Sequence, residues 1–159
     1  MSRFYPVELT TTRFLGVGML LLQMIAIGGC GDGRPKLVPV SGRVLIDGKP
    51  LEIGFVHVVP PGDRPAIGKL GPKGRFTLTT FDDNDGCVLG KHPVAVIANK
   101  HIGSADLQWF APIKYGDIAT SGLQIDVSGP RDDVEINLTW DGGKPFIEHD
   151  PSQSNTKKY

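Results

Sequence analysis

Several things are scarce in this chain, and each scarcity removes a class of function. Charge of one sign is missing: across 159 residues, 17 Lys and Arg stand against 17 Asp and Glu. Residues 1–29 hold two of the basic residues (Arg3, Arg13) and one of the acidic (Glu8), so their removal leaves the rest nearly neutral too. With no basic excess, and only Lys157-Lys158 as a short basic run, nothing is built to neutralise phosphates, and nucleic acid is excluded as a partner. Cysteine is nearly absent: Cys30 and Cys87 make no disulfide framework. No apolar run is long enough to span a bilayer permanently. The uncharged stretch Phe14–Ile27 would reach about 21 Å as a helix, at ~1.5 Å per residue, against a hydrocarbon core of ~30 Å. Nucleophile elbows, phosphate-cradling glycine loops and well-spaced carboxylate pairs are also lacking, so no enzyme, cofactor or metal site is expected.

What is present begins with that apolar stretch. Arg13 precedes it, and the order of charged residue, apolar run and small residues matches an export signal. Ile27-Gly28-Gly29-Cys30 follows, and this run resembles the lipobox of bacterial lipoproteins. The resemblance implies cleavage before Cys30 and acylation of its thiol, by palmitate among other chains. Each buried methylene contributes about 0.8 kcal/mol, so two or three acyl chains hold the chain to a membrane without help from the fold. The expected organisation is a signal peptide helix over 1–29, lipidated Cys30 with a polar spacer over 30–37, a β domain over 38–140 and a mostly disordered tail over 141–159. The expected address is the cell envelope, on a membrane facing the periplasm or the exterior.

Beyond Cys30 no apolar period of 3.6 is sustained, whereas alternation with period two recurs between Gly and Pro turn signals, which predicts an all-β domain. The strands read as Val38–Ile46, Gly54–Val59, Ala66–Leu70, Arg75–Phe81, Pro93–Ala98, Leu123–Val127 and Val134–Trp140. In the first, Val40, Gly42, Val44 and Ile46 share one face; Asp47-Gly48 then turns the chain. Gly54–Val59 is apolar on both faces and is expected inside a sheet. Seven such antiparallel strands predict a sandwich. The segment from Asn99 to Ser121 is expected to be irregular. It carries Trp109, Phe110 and Tyr115, which make a candidate surface for a glycan or an envelope protein.

Val40-Ser41-Gly42-Arg43-Val44, Asp47-Gly48-Lys49-Pro50, Phe55-Val56-His57-Val58-Val59-Pro60 and Lys73-Gly74-Arg75-Phe76 together resemble the transthyretin-like and carboxypeptidase-regulatory-like domains. Tyr115–Leu123 is similar to a segment of small bacterial lipoproteins built on that domain. The resemblance implies a seven-stranded prealbumin-like (Ig-like) sandwich and a structural or binding role. Its enzyme branch hydrolyses 5-hydroxyisourate with histidines, an arginine and a Tyr-Arg-Gly-Ser ending. That alternative needs His57, His92 or His101 gathered with Arg43 or Arg75, and the printed ending, Asn155 to Tyr159, departs from the pattern.

Two lesser features carry a bland reading. Asp82, Asp83, Asn84 and Asp85 offer oxygen ligands, but with Gly86 at the sixth position an EF-hand would need acids where Phe81 and His92 stand. These residue types favour turns by themselves. Cys87, left without a partner, is expected to be a small apolar filler at the start of a strand.

Overall fold

Alternation of apolar residues decides which face of each strand is inward, and the computed structural model follows it closely. The structure describes residue 1, residues 33–102 and residues 106–149. The proposed signal peptide, Cys30 and the tail beyond His149 therefore lie outside the described residues, Met1 apart. The elements given below all fall in one compact unit that begins at Pro35. It is mostly β, with several antiparallel sheets.

Strand β1 (Leu37–Val38) is separated by Pro39 from β2 (Val40–Ile46), whose Val40, Gly42, Val44 and Ile46 are all buried. Asp47 and Gly48 both take positive φ (48° and 75°), the mirror-image turn that matches strand twist, and lead into β3 (Lys49–Pro50) with Ile46 opposite Lys49. Then come β4 (Phe55–Val58), β5 (Ala66–Lys69), a 3-10 turn at Pro72–Gly74, and β6 (Arg75–Thr77). After the acidic loop lie β7 (Cys87–Val88) and β8 (Gly90–Ile97). β9 (Asn99–His101) and β10 (Asp106–Trp109) precede a 3-10 turn at Ile113–Gly116 and the one-turn helix α1 (Ile118–Ser121). β11 (Leu123–Val127), β12 (Arg131–Leu138) and β13 (Phe146–His149) complete the order.

One four-stranded sheet runs β11-β8-β4-β5, antiparallel throughout. As expected, β4 is interior: Val56 and Val58 are fully buried, although Phe55 on the other face is exposed. A second sheet runs β12-β2-β3, with β6 also on β2. Valines and leucines from both sheets, among them Val44, Val56, Val94, Val127 and Leu138, join one hydrophobic cluster. The smaller sheets are β1-β7 and β13-β10-β9.

The structure corrects the sequence reading in three places. β2 and β12 pair in parallel, with Gly42 opposite Val134, Val44 opposite Ile136 and Ile46 opposite Leu138. Period-two alternation is the same read in either direction, so it fixes a face and not a polarity. Among the described residues thirteen short strands stand where seven were expected. The expected first strand breaks at Pro39, which has no N–H to give, and the segment expected to be irregular holds a hairpin, β9 with β10, and two short helical turns. Finally, the stretch expected to be a disordered tail contributes β13, paired along its whole length with β10. All four β13 residues are exposed, so no alternation toward a core marked them as a strand.

Gly42 is the tightest point of the β2–β12 pair. A Cβ built there meets the Val134 carbonyl oxygen at 2.0 Å and its Cβ at 2.7 Å, both closer than contact allows. Gly42→Ala should therefore push the two strands apart and cost roughly 1–3 kcal/mol of stability by the overpacking mechanism. Urea unfolding followed by far-UV circular dichroism measures it; a loss within ~0.5 kcal/mol would mean that the pair accommodates a methyl.

Candidate functional site

Both tryptophans of the chain come to one surface. In the β10–β13 pair Trp109 lies opposite Phe146, and antiparallel neighbours in register share a sheet face. Their rings stack at 6.4 Å and 15°, while Trp140 meets Phe146 edge-on at 6.5 Å and 78°. Trp109 Nε1 donates to Glu148 Oε2 at 2.8 Å, which satisfies the one polar atom of the indole. Trp140 and Phe110, both packed in part on the core, continue the surface into a groove of about 480 Å³. Pro145, Pro50, Leu51 and Ile53 supply its apolar lining, and Asp47, Lys49 and Glu52 supply charge.

Tyr115 is not part of this surface. It is 6% exposed and belongs to the core cluster, because the 3-10 turn at Ile113–Gly116 points it inward. Its hydroxyl donates to the Thr139 carbonyl at 3.4 Å and accepts from the Thr139 N–H at 3.2 Å. Lys114, on the same turn, donates to Asp141 Oδ2 at 2.6 Å; that bond raises the lysine pKa and holds the aspartate low. Asp47 Oδ1 accepts from the Trp140 N–H at 3.3 Å. The residues on either side of Trp140 are thus tied down, and Tyr115 acts on the aromatic surface by positioning it. Of the three aromatics the sequence singled out, the structure brings Trp109 and Phe110 to the surface and withdraws Tyr115. Trp140 and Phe146 were missed. The apolar pair Phe146-Ile147 between Pro145 and Glu148 was the available signal.

The histidines do not gather. His92 is buried, its Nε2 3.0 Å from the Val88 carbonyl oxygen, and Nδ1 has no partner. His57 is half-buried on the opposite face of the same sheet, across from Ile67 and Ala95. His101 and His149 fall on opposite faces of the β13-β10-β9 sheet, since their partners Leu107 and Asp106 are consecutive; His149 Nδ1 pairs with Asp106 Oδ1 at 2.5 Å. Arg43 lies on the other large sheet, bound to Glu135 through Nε at 2.8 Å and Nη2 at 2.6 Å, with Arg75 opposite it on β6. Among the described residues no three His, Cys, Asp or Glu side chains are grouped to hold a metal ion.

The acidic loop spends its central carboxylate on its own backbone. Asp85 accepts from the N–H of Thr80 (2.7 Å), Phe81 (2.9 Å) and Asp82 (2.8 Å). Desolvation works to raise its pKa, and these backbone bonds outweigh it, so the group is held below the usual carboxylate range. Cys87 is fully buried, and burial pushes its thiol up to about 11.

Comparison of the chain with protein families, with curated proteins and with solved structures finds no match in any of the three. Among the described residues no helix is long and apolar enough to cross a membrane.

Two measurements check this account. A thiol at about 11 and shielded from solvent should resist iodoacetamide at pH 8 in the folded protein and react in urea; rapid labelling without denaturant would show that Cys87 is reachable. Burial lowers the His57 pKa from 6.5. The unfolded chain then takes up a proton first as pH falls, so stability is fully present above 6.5 and declines as pH drops from there through the folded value. His57→Gln should flatten that decline in urea midpoints measured from pH 7.5 to 5; an unchanged slope would assign it elsewhere.

Proposed function

We propose that this chain is a lipid-anchored module of the cell envelope, a prealbumin-like β-sandwich that works by binding a partner rather than by catalysis. The observation that carries the binding role is the convergence of Trp109, Phe146, Trp140 and Phe110 on one surface that runs into a groove. Large aromatics offer apolar area with few rotatable bonds, and they are enriched where partners dock. Asp47, Lys49 and Glu52 around the groove suit the hydroxyls of a glycan or the polar rim of a protein. The dispersal of His57, His92 and His101 from Arg43 and Arg75 supports this reading over a hydrolase of the 5-hydroxyisourate type.

The address rests on the sequence: an apolar stretch closed by Ile27-Gly28-Gly29-Cys30. The sandwich rests on the two four-stranded sheets feeding one core, together with the motifs around Val40–Pro50 and Lys73–Phe76. The partner is an envelope protein or a glycan, and the chain itself is held at a membrane through acyl chains on Cys30.

Palmitate labelling in cells tests the anchor. Cys30→Ser should abolish incorporation and release the chain from the membrane fraction, and equal labelling of both chains would overturn it. For the surface, Trp140→Ala should weaken co-sedimentation with isolated cell-wall glycan, or cross-linking to an envelope partner, by roughly 30-fold, the effect of losing one anchoring aromatic worth ~2 kcal/mol. Unchanged binding in both assays would remove this surface from the function.

A further inference from the structure

A second groove lies along the outer face of β4 and β5, away from the aromatic surface, and its chemistry is different. Phe55 and Ile67 form its floor. Both point out of the sheet, since Val56, Ala66 and Gly68 between and beside them are buried, and they stand 44% and 42% exposed. The groove measures about 410 Å³, a size that fits a small molecule. Thr77 and Thr79 lie along one side. Phe55 and Ile67 thus give the groove an exposed apolar floor.

Charge says which occupant. Arg64 and Lys69 line the groove, and no carboxylate lines it. Neither forms a salt bridge among the described residues. Asp63 adjoins Arg64 in sequence, and Asp82 and Asp83 lie beyond Phe81, but all three stand outside the lining. Arg64 is held in place by the Phe81 ring, 5.4 Å from its guanidinium carbon to the centroid, which leaves its N–H groups to bind an acid in two-pronged fashion. Lys69 sits at the opposite end, across from Phe55 in the β4–β5 register. Five residue steps lead from Arg64 to Lys69, the last four residues of them in β5, so their Cα atoms stand at most about 16 Å apart at ~3.3 Å per residue. Their long side chains reduce the span that a ligand must cover.

We propose that this groove binds an elongated dicarboxylate with an apolar middle, one acid group on Arg64, the other on Lys69, and the body of the molecule across Ile67 and Phe55. A glycan fits poorly here, because the floor between the cations is the apolar carbon of Phe55 and Ile67, and its uncharged polar groups are confined to three threonines and Asn84. A cation is repelled at both ends. A monocarboxylate satisfies one end and leaves the other cation to water.

The test uses the full chain in lipid nanodiscs, with empty nanodiscs as the blank, and equilibrium dialysis of labelled probes at pH 8. Decanedioate should bind saturably, one per chain, at least tenfold more tightly than decanoate, and decyltrimethylammonium should not bind saturably. Arg64→Gln and Lys69→Gln should each bring decanedioate down to the decanoate level, and the double variant should abolish binding with the melting temperature unchanged. Ile67→Asp, a change at an exposed position, should also abolish it. No saturable decanedioate binding, equal affinity for decanoate, or full binding by the double variant each overturns the proposal, and the first two outcomes need no variant at all.

Discussion

The parallel pairing of β2 with β12 is the constraint from which the rest of the domain is hung. β2 is the only strand of its sheet with neighbours along both edges among the described residues: β12 on one side, β6 and β3 sharing the other. Its inward residues Val40, Val44 and Ile46 meet Val134, Ile136 and Leu138 in the same cluster that Val56, Val94 and Val127 enter from the other large sheet. A parallel pair cannot be closed by a hairpin, so everything between Ile46 and Arg131 must be routed as one long connection. The strands of the β11-β8-β4-β5 sheet, the β9–β10 hairpin and the helical turns are all carried on that connection.

A consequence appears at the aromatic surface. β12 ends at Leu138, and the next three residues are fixed from two directions: Tyr115 and Lys114 hold Thr139 and Asp141, while Asp47, at the far end of β2, receives the Trp140 N–H. Trp140 is therefore placed by the core, and it in turn meets Phe146, which β13 brings across from Trp109. Apart from this aromatic contact, β13 has ladder bonds, the Trp109–Glu148 hydrogen bond and the His149–Asp106 pair to hold it, all of them exposed. Exposed pairs of that kind contribute little, so the proposed binding surface joins a rigid half, Trp140 and Phe110, to a more weakly secured one.

The two grooves divide the chemistry of the domain. One is aromatic with mixed charge at its rim; the other is an aliphatic and phenyl floor between two cations. Neither is lined by a histidine. Among the described residues the reactive-looking side chains are quiet: Cys87 and His92 are buried, and Asp85 is spent on three backbone N–H groups. The proposed binding chemistry falls on aromatic, aliphatic and cationic side chains instead.

What the sequence determined by itself is the local chemistry: the strand faces at Val40–Ile46, Phe76–Thr80 and Val134–Leu138, the Asp47-Gly48 turn, β11 to the residue, and the interior place of β4. These follow from alternation, apolar continuity and turn stereochemistry, all of which act over a few residues. Only the tertiary structure decided the direction in which β12 runs beside β2, because alternation has no polarity. It alone decided that Tyr115 is core while Trp109 is surface, since two aromatics six residues apart differ only in what packs over them. And it alone brought Phe146 to the aromatic surface, because an exposed strand buries nothing and its one recognisable property is the neighbour it pairs with.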